Sequence, residues 1–267
     1  MIVLDLEADL NLAREAAIAA GELALSHFGS GRGSWYKGPG QVVTEADLAV
    51  DALLHDLLRD ARPGYGWLSE ERTDDRSRTR CARTWVVDPI DGTRAFAEGV
   101  PQFAVSVALV ERGEPLLGIV FNPATAERFE ASRGGGARLN GLRLEVSSRA
   151  DLAGAALLSS RTEMKRRHWP EVIPEAEFTT VGSLAYKLAL IAGGRFDGLV
   201  SLRASHDWDI AAAQLLVSEA GGRLTDAAGR GIVLNQETPR HAGLAAAGTE
   251  RLHDALLARL ETAAAAL

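Results

Sequence analysis

The chain has 267 residues, a formal net charge of −7 and 46% hydrophobic residues, which is the composition of an ordinary globular protein. Its length allows a sizeable core and a deep active site, within one domain or two closely packed halves. The negative charge and the lack of Lys/Arg-rich blocks disfavour nucleic acid polymers and anionic membrane surfaces as partners, whereas a small anionic substrate fits.

The N-terminus and the cysteine content predict the compartment. The first residues show no basic leader with a long apolar core, and no apolar run has transmembrane length. Cys81 is the only cysteine, so no intrachain disulfide can form, which fits a reducing compartment. We therefore expect a cytoplasmic protein with no stable membrane insertion.

Two helices are predicted in the first sixty residues. Apolar residues recur at helical spacing from Leu6 to Phe28, and glycines and a proline between residues 29 and 40 end the pattern. Thr44 and Asp47 form an N-capping sequence that predicts a second helix ending near residue 61.

The middle of the chain predicts an antiparallel sheet. The charged stretch 70–83 indicates a solvated loop that leads into a strand around Trp85. Alternating apolar residues in 103–109 and 117–121 predict a hairpin, and those in 142–146 predict a further strand.

The second half of the chain has a different rhythm. Short apolar runs at 155–158 and 198–200 alternate with helical stretches at 183–192, 209–220 and 250–262. We predict an N-terminal α+β half over residues 1–150, with the antiparallel sheet and the main metal site, and a C-terminal α/β half over residues 151–267 that completes the site.

Two carboxylates stand three residues apart at the end of the Trp85 strand, in Asp88-Pro89-Ile90-Asp91. Proline pushes the preceding residue toward an extended conformation, so a tight turn can aim both carboxylates the same way. Such a pair repels itself unless a cation neutralises it. Oxygen ligands of this kind suit Mg²⁺, and the carbonyl of Ile90 could add a further ligand.

The next residues extend this pattern. Gly92 and Thr93 offer backbone N–H groups and a hydroxyl, which would favour a phosphate if a helix begins there. The plainer alternative is that Asp88 and Asp91 form an Asx-type turn and that Asp209 only caps its helix. The motifs of serine hydrolases, zinc proteases and P-loop enzymes are absent from the sequence.

The longer string of motifs favours the metal site. Asp88 to Thr93 occurs together with Ser69-Glu70-Glu71 upstream and with Trp208-Asp209-Ile210-Ala211-Ala212 and Glu219-Ala220-Gly221-Gly222 downstream. In this combination, which spans nearly the whole chain, the sequence resembles the inositol monophosphatase superfamily of Mg²⁺-dependent, lithium-sensitive phosphatases.

The resemblance implies a fold and a set of roles. The fold is a layered α/β/α/β/α sandwich of the inositol monophosphatase/fructose-1,6-bisphosphatase type, and homodimers are common in the family. The implied ligands of one metal are Glu70, Asp88 and the Ile90 carbonyl, and those of a second are Asp88, Asp91 and Asp209. Asp47 and Thr93 match the pair that activates the attacking water, and Glu71 matches a position near a third, weaker metal.

The substrate is predicted from the residues around this core. In inositol monophosphatases, a Glu seven residues before the Asp of the second motif would contact the inositol hydroxyls. In this chain the residue seven positions before Asp209 is Leu202, which cannot make such a contact. Arg94, directly after Asp-Gly-Thr, resembles the bacterial 3'(2'),5'-bisphosphate nucleotidases. The first hypothesis is therefore that the enzyme hydrolyses the 3'-phosphate of adenosine 3',5'-bisphosphate, a by-product of sulfate assimilation, and releases AMP. The alternative is an inositol-1-monophosphatase or a broad sugar-alcohol phosphatase.

Several residues are candidates for binding this substrate. Gly92, Thr93 and Arg94 would contact the phosphate groups, and Ser183 would either contact the substrate or simply N-cap a helix. A second phosphate needs a second cation. The candidates for that cation are Arg94, Arg161, Lys187 and Arg203, and for all but Arg94 an ordinary surface charge is the plainer alternative.

Overall fold

The secondary structure alternates between helices and strands along most of the chain. The computed structural model describes residues 6–29, 34–38 and 41–265. The helices are α1 Leu6–His27, α2 Glu45–Ala61, α3 Thr93–Ala97, α4 Arg161–Arg167, α5 Trp169–Val172, α6 Leu184–Ala192, α7 Asp207–Glu219 and α8 Glu250–Ala265. A 3₁₀ turn covers Ser77–Arg80.

The strands fall into two large sheets and one small one. The strands are β1 Ser34–Gly38, β2 Gln41–Thr44, β3 Gly66–Ser69, β4 Arg83–Asp91, β5 Ala104–Glu111, β6 Glu114–Asn122, β7 Glu127–Ser132, β8 Gly136–Leu139, β9 Leu142–Arg143, β10 Ala156–Ser159, β11 Glu177–Thr180, β12 Gly198–His206, β13 Arg223–Asp226 and β14 Arg240–Ala247. A seven-stranded sheet runs from β3 to β9 in chain order, a five-stranded sheet has the order β11-β10-β12-β14-β13, and β1 pairs with β2.

Strand direction differs between the two large sheets. In the seven-stranded sheet only β3 and β4 are parallel, and every other neighbouring pair is antiparallel. In the five-stranded sheet β10 is parallel to both β11 and β12, whereas β14 is antiparallel to both its neighbours. The parallel pair β3–β4 brings the ends of these two strands side by side.

Apolar side chains on alternate residues bury both faces of the seven-stranded sheet. On β4, Trp85 and Val87 face α1 and α2, whereas Val86 faces the cluster that contains α6 and α7. The other side of α6 and α7 packs on Leu199 and neighbouring residues of the five-stranded sheet. The opposite face of that sheet, including Val200, packs on α5 and α8. The layers are therefore α/β/α/β/α, as the resemblance implied.

A capping box begins α2 where the sequence predicts it. The Thr44 hydroxyl accepts a hydrogen bond from the Asp47 amide, and Asp47 Oδ2 accepts one from the Thr44 amide at 2.7 Å. These bonds satisfy amides that a helix N-terminus leaves unpaired, and they fix the Asp47 side chain.

Three local predictions need correction. The stretch 70–83 is not simply a solvated loop, because the Arg78 side chain within it is completely buried. The strand predicted over 142–146 covers only Leu142–Arg143, because the chain then turns its partly buried apolar side chains onto the central core. The strand around Trp85, predicted over Arg83–Val87 with Asp88 in a turn after it, continues through Asp91. The predicted helix break at 29–40 lies partly outside the described residues.

Over residues 6–29, 34–38 and 41–265, no helix is both long enough and apolar enough to span a bilayer.

The predicted division of the chain at residue 150 stays a prediction, although the seven-stranded sheet ends at Arg143 and the five-stranded sheet begins at Ala156.

Candidate active site

A β-bulge at the end of β4 brings Asp88 and Asp91 to the same side of the sheet. Residues three apart on a regular strand point to opposite faces. In the pairing with β5, however, Asp88 lies opposite Ser106 and Asp91 lies opposite Ala104. Over this interval β4 therefore contains one residue more than β5. The extra residue removes the alternation and lets both carboxylates face the same space.

The third carboxylate comes from the start of α7. Asp209 lies in the first turn of α7, where its Oδ2 accepts a hydrogen bond from the His206 amide at 2.6 Å. The Ser106 hydroxyl donates to the carbonyl of Trp208 at 3.3 Å, which ties this turn to the strand opposite Asp88. One ligand atom from each of Asp88, Asp91 and Asp209 lies within 4.8 Å of the others, and we call these residues the acidic triad.

Glu70 approaches the triad along the neighbouring strand. Because β3 and β4 are parallel and Ser69 pairs with Val87, the residue after β3 lies beside the end of β4. The charge of Glu70 is, after burial, the largest cause that raises the pKa of Asp88. Glu70 is not a member of the triad, so its role as a metal ligand stays a prediction.

The electrostatics of the triad fit a bound cation. Burial and the surrounding carboxylates raise the pKa of Asp88 well above its usual value, and burial and the charge of Asp91 raise the pKa of Asp209 to about 7. Asp88 Oδ1 accepts a hydrogen bond from the Ile90 amide at 3.1 Å, but Oδ2 is buried without a hydrogen-bond partner among the described residues. An all-oxygen donor set with an unsatisfied buried carboxylate oxygen suits Mg²⁺.

Asp91 is held by the start of α6. Its Oδ2 accepts hydrogen bonds from the Ser183 hydroxyl and the Ala185 amide, both at 2.5 Å. Burial raises the pKa of Asp91, while these bonds and the charge of Lys187 oppose the rise. Ser183 is completely buried and also N-caps α6 by accepting a hydrogen bond from the Tyr186 amide at 2.9 Å. Its hydroxyl is thus used within the protein, and its predicted substrate contact stays a prediction.

The predicted water-activating pair is assembled beside the triad. Thr93 Oγ1 lies 3.1 Å from Asp47 Oδ1 and 3.0 Å from the carbonyl oxygen of Ile90. The Thr44 amide and hydroxyl occupy Asp47 Oδ2, at 2.7 and 2.6 Å. The Asp47 carboxylate therefore orients the threonine hydroxyl while its other oxygen is fixed by the helix cap.

The turn after Asp91 depends on glycine. Gly92 has φ +92°, and a Cβ at this position would lie 2.9 Å from the carbonyl oxygen of Gln102 and 3.2 Å from Cα of Ser183. A helix does begin at Thr93, but α3 has only five residues. Arg94 is exposed on this helix. The substrate contacts of Gly92, Thr93 and Arg94 stay predictions.

Glu71 sits at the start of the loop that follows β3. Its amide donates to the Ser69 hydroxyl at 3.3 Å, and this hydroxyl donates to the buried carboxylate of Asp51 on α2. Arg72 also donates to Asp51, at 2.5 Å. Asp51 therefore anchors the loop that carries Glu70 and Glu71, whereas the place of Glu71 near a third metal stays a prediction.

Sequence reasoning missed two supporting residues, Asp51 and Glu163, and misjudged the burial of a third, Lys187. Asp51 is four residues after Asp47 and so lies on the same face of α2, a spacing that could have revealed it. Glu163 is buried and accepts hydrogen bonds from the Leu202 amide at 2.7 Å and the Arg203 amide at 3.2 Å, and no sequence pattern marks this pairing. Lys187, for which a surface charge was the plainer interpretation, is only 4% exposed.

Comparison with known proteins gives a consistent picture. The family model described as "Inositol monophosphatase family" matches residues 5–265. The inositol-1-monophosphatase of Rhizobium meliloti (strain 1021) is 38% identical over 92% of this chain and 94% of its own length. The Nus factor SuhB of Escherichia coli (strain K12) is 34% identical over 82% of this chain and 85% of its own. A solved structure of an IMPase from Thermotoga maritima superimposes with a TM-score of 0.85 at 29% identity, covering 97% of this chain and 98% of its own.

Proposed function

Because the chain belongs to the inositol monophosphatase family, we propose that it is a Mg²⁺-dependent phosphatase of small alcohol phosphates, with inositol 1-phosphate as the first substrate. The observation that carries this proposal is the acidic triad, whose ligand atoms lie within 4.8 Å of one another beside the Thr93–Asp47 pair. The name of the 38% identical Rhizobium relative supports the choice of inositol 1-phosphate over a nucleotide.

The residues that would hold the cations are the acidic triad, Glu70 and the carbonyl of Ile90. Bound Mg²⁺ would neutralise phosphoryl oxygens and increase the acidity of a water molecule. Without a cation, the buried carboxylates raise one another's pKa and would repel a phosphate dianion. Cation binding and substrate binding are therefore coupled through the charge of these residues.

Thr93 and Asp47 would orient the attacking water. The Thr93 hydroxyl has one proton, which it can donate in a hydrogen bond to Asp47 Oδ1, so its oxygen can accept a hydrogen bond from the water molecule. This arrangement would fix the direction of the water molecule relative to the triad. A correctly aligned nucleophile accounts for a large part of the catalysis of phosphoryl transfer.

A second candidate substrate is adenosine 3',5'-bisphosphate, and two positively charged side chains favour it. Lys187 is buried on α6, where burial lowers its pKa and the charges of Asp91 and Glu163 oppose that shift. Arg203 is exposed on β12, and its charge opposes the rise in the pKa of Asp209. Two positive charges near the triad would suit a leaving group that carries a second phosphate.

The residue at the position of the expected inositol contact also favours this candidate. Leu202 is partly buried and packs on the apolar cluster between the five-stranded sheet and α8. The strand pairing is irregular between Ser201 and Ala204, and Glu163 holds the amides of this segment. A leucine in this environment offers no hydrogen bond to an inositol hydroxyl.

The test is phosphate release in Mg²⁺ buffer, comparing kcat/KM for inositol 1-phosphate, adenosine 3',5'-bisphosphate and AMP. Equal or better turnover of inositol 1-phosphate supports the first candidate. A preference of about a hundredfold for the bisphosphate, equal to about 2.7 kcal/mol, supports the second. In that case Lys187→Met should remove most of the preference, while Lys165→Met, at an exposed position on α4, should not. No phosphate release from any of the three substrates would contradict both.

A further inference from the structure

A network of buried polar groups connects the two parts of the chain that carry Glu70 and Asp209. It begins in the loop between β3 and β4, where the fully buried guanidinium of Arg78 donates two hydrogen bonds to the carboxylate of Asp74, at 3.1 and 2.9 Å. The two planar N–H groups match the two carboxylate oxygens. This pair closes the loop that starts at Glu70.

The same guanidinium reaches the segment between β13 and β14. Its Nη1 donates to Asn235 Oδ1 at 2.6 Å, and its Nη2 donates to the carbonyl oxygen of Gln236 at 2.9 Å. Arg78 therefore uses two further N–H donors on a segment about 160 residues later in the sequence, the separations being 157 and 158 residues. Asn235 also donates through Nδ2 to the Thr84 hydroxyl at 3.2 Å, which ties it to the start of β4.

From Asn235 the network continues to the N-terminus of α7. The Asn235 amide donates to Asp207 Oδ2 at 2.6 Å. Asp207 is completely buried, and its other oxygen, Oδ1, lies 2.6 Å from Nε2 of His241 on β14. Asp207 is two residues before Asp209, and Asp74 is three residues after Glu71. Both ends of the network are therefore within four residues, along the sequence, of residues of the candidate metal site.

We infer that Arg78 is a positioning residue, which together with Asn235 holds the loop of Glu70 and Glu71 in register with the first turn of α7. The inference rests on the metal site of the proposed function. A metal site needs its ligands held in fixed relative positions, and groups that orient ligands without touching the metal typically contribute 10- to 100-fold in metal affinity. Arg78 contacts neither the triad nor the substrate site, so it acts only through the two segments.

A charge buried for packing alone would be the competing explanation. Arg83 provides the comparison within the same chain, because it is 11% exposed and pairs with Asp9 and Glu111. Among the described residues its polar partners, which also include Tyr65, lie within the first 111 residues, and none is a member of the acidic triad. Loss of Arg83 should therefore lower stability without changing the metal site, whereas loss of Arg78 should change both.

The experiment measures Mg²⁺ binding by titration calorimetry in the absence of substrate, together with the thermal midpoint of the metal-free protein. Arg78→Met should weaken Mg²⁺ binding about tenfold. Arg83→Met, the matched control, should lower the midpoint and leave the Mg²⁺ dissociation constant within about twofold of the wild type.

A second variant covers the case in which Arg78→Met does not fold. Asn235 has φ +57°, a conformation that glycine adopts easily. Asn235→Gly therefore keeps the hydrogen bond from the backbone amide to Asp207 but removes the side-chain oxygen that accepts from Arg78. It should weaken Mg²⁺ binding about threefold or more. Asn140→Gly is its control, because Asn140 also has a left-handed conformation, with φ +50°, in a hairpin turn away from the triad.

The outcomes separate this inference from the proposed function. If the wild type binds no Mg²⁺, the metal site fails and the inference fails with it. If the wild type binds Mg²⁺ and folded Asn235→Gly and Arg78→Met variants bind it within twofold of the wild type, only the inference fails. Equal weakening by Arg83→Met or Asn140→Gly would also overturn it, since a general loosening of the fold would then explain the effect.

Discussion

Asp88 combines a structural and a functional demand in one side chain. One of its oxygens closes an Asx-type turn with the Ile90 amide, and the other is buried without a hydrogen-bond partner among the described residues. The plainer interpretation of the sequence, an Asx turn, is thus part of the observed geometry. It does not explain the second oxygen, because a buried carboxylate oxygen without a partner destabilises a fold unless something binds it.

Thr93 gives the first prediction at the residue scale. Thr93→Ala removes the hydroxyl that contacts Asp47 Oδ1, so kcat should fall by about 10²- to 10⁴-fold, the usual effect of losing a group that aligns or accepts a proton. Thr93→Ser keeps the hydroxyl and should retain most of the activity. Mg²⁺ binding should be unchanged in both variants. A Thr93→Ala enzyme with near-normal kcat would rule out this role.

Asp209 gives a prediction for pH. Its pKa of about 7 is raised above the ordinary value, so near pH 6 the metal-free protein holds a proton that Mg²⁺ must displace. Mg²⁺ binding should therefore release about one proton or more at pH 6, and the dissociation constant should rise about tenfold per pH unit below about 7. Calorimetry in two buffers of different ionisation enthalpy counts the protons.

The raised pKa of Asp209 also affects the stability of the metal-free fold, and here a lower pH is favourable, whereas it weakens Mg²⁺ binding. A carboxyl whose pKa is raised in the folded state favours folding while it is protonated, and this contribution is lost as the pH rises from about 4 to about 7. Mg²⁺ replaces the proton as the neutralising charge. Binding at pH 6 without proton release would show that Asp209 is already ionised there.

At the scale of single elements, the sequence predicted the features with local causes best. The apolar periodicity of α1, the Thr44–Asp47 capping box of α2 and the hairpin of β5 and β6 were all confirmed. These features are local, because the residues that determine them lie within a few positions of one another. For the same reason the position of Asp88 and Asp91 at the end of a buried strand could be predicted, whereas the bulge that aligns them could not.

The burial of two charged side chains could not be predicted from the sequence, because it depends on partners elsewhere in the fold. Arg78 lies in a run of charged residues and is nevertheless buried, because Asp74 and Asn235 satisfy its guanidinium. Lys187 is buried on α6 for a comparable reason, since Asp91 and Glu163 lie near it. A side chain's charge therefore indicates exposure only when no polar or oppositely charged group is packed against it in the fold.

At the scale of the whole molecule, the layers determine where the site can form. The central layer of α6 and α7 packs between the two sheets, and the first turns of these helices hold Asp91 and Asp209 beside the end of β4. The N-terminal and C-terminal parts of the chain therefore both place carboxylates in the same site, where these groups repel one another. The mutual repulsion of these groups makes the metal-free fold less stable than its packing alone would allow.

The most direct test of this account is the effect of Mg²⁺ on the thermal midpoint of the wild type and of Asp88→Asn at pH 7.5. Asparagine keeps the acceptor for the Ile90 amide and replaces a carboxyl group whose ionisation is disfavoured by burial and by the neighbouring carboxylates. With Mg²⁺ about a hundredfold above its dissociation constant, the wild type should gain about 2.7 kcal/mol, which is roughly 5–10 °C for a chain of this size. Asp88→Asn should melt a few degrees higher than the wild type without metal, should gain nothing from Mg²⁺, and should show no phosphatase activity. An Asp88→Asn variant that Mg²⁺ stabilises as much as it does the wild type would contradict the assignment of the triad as the metal site.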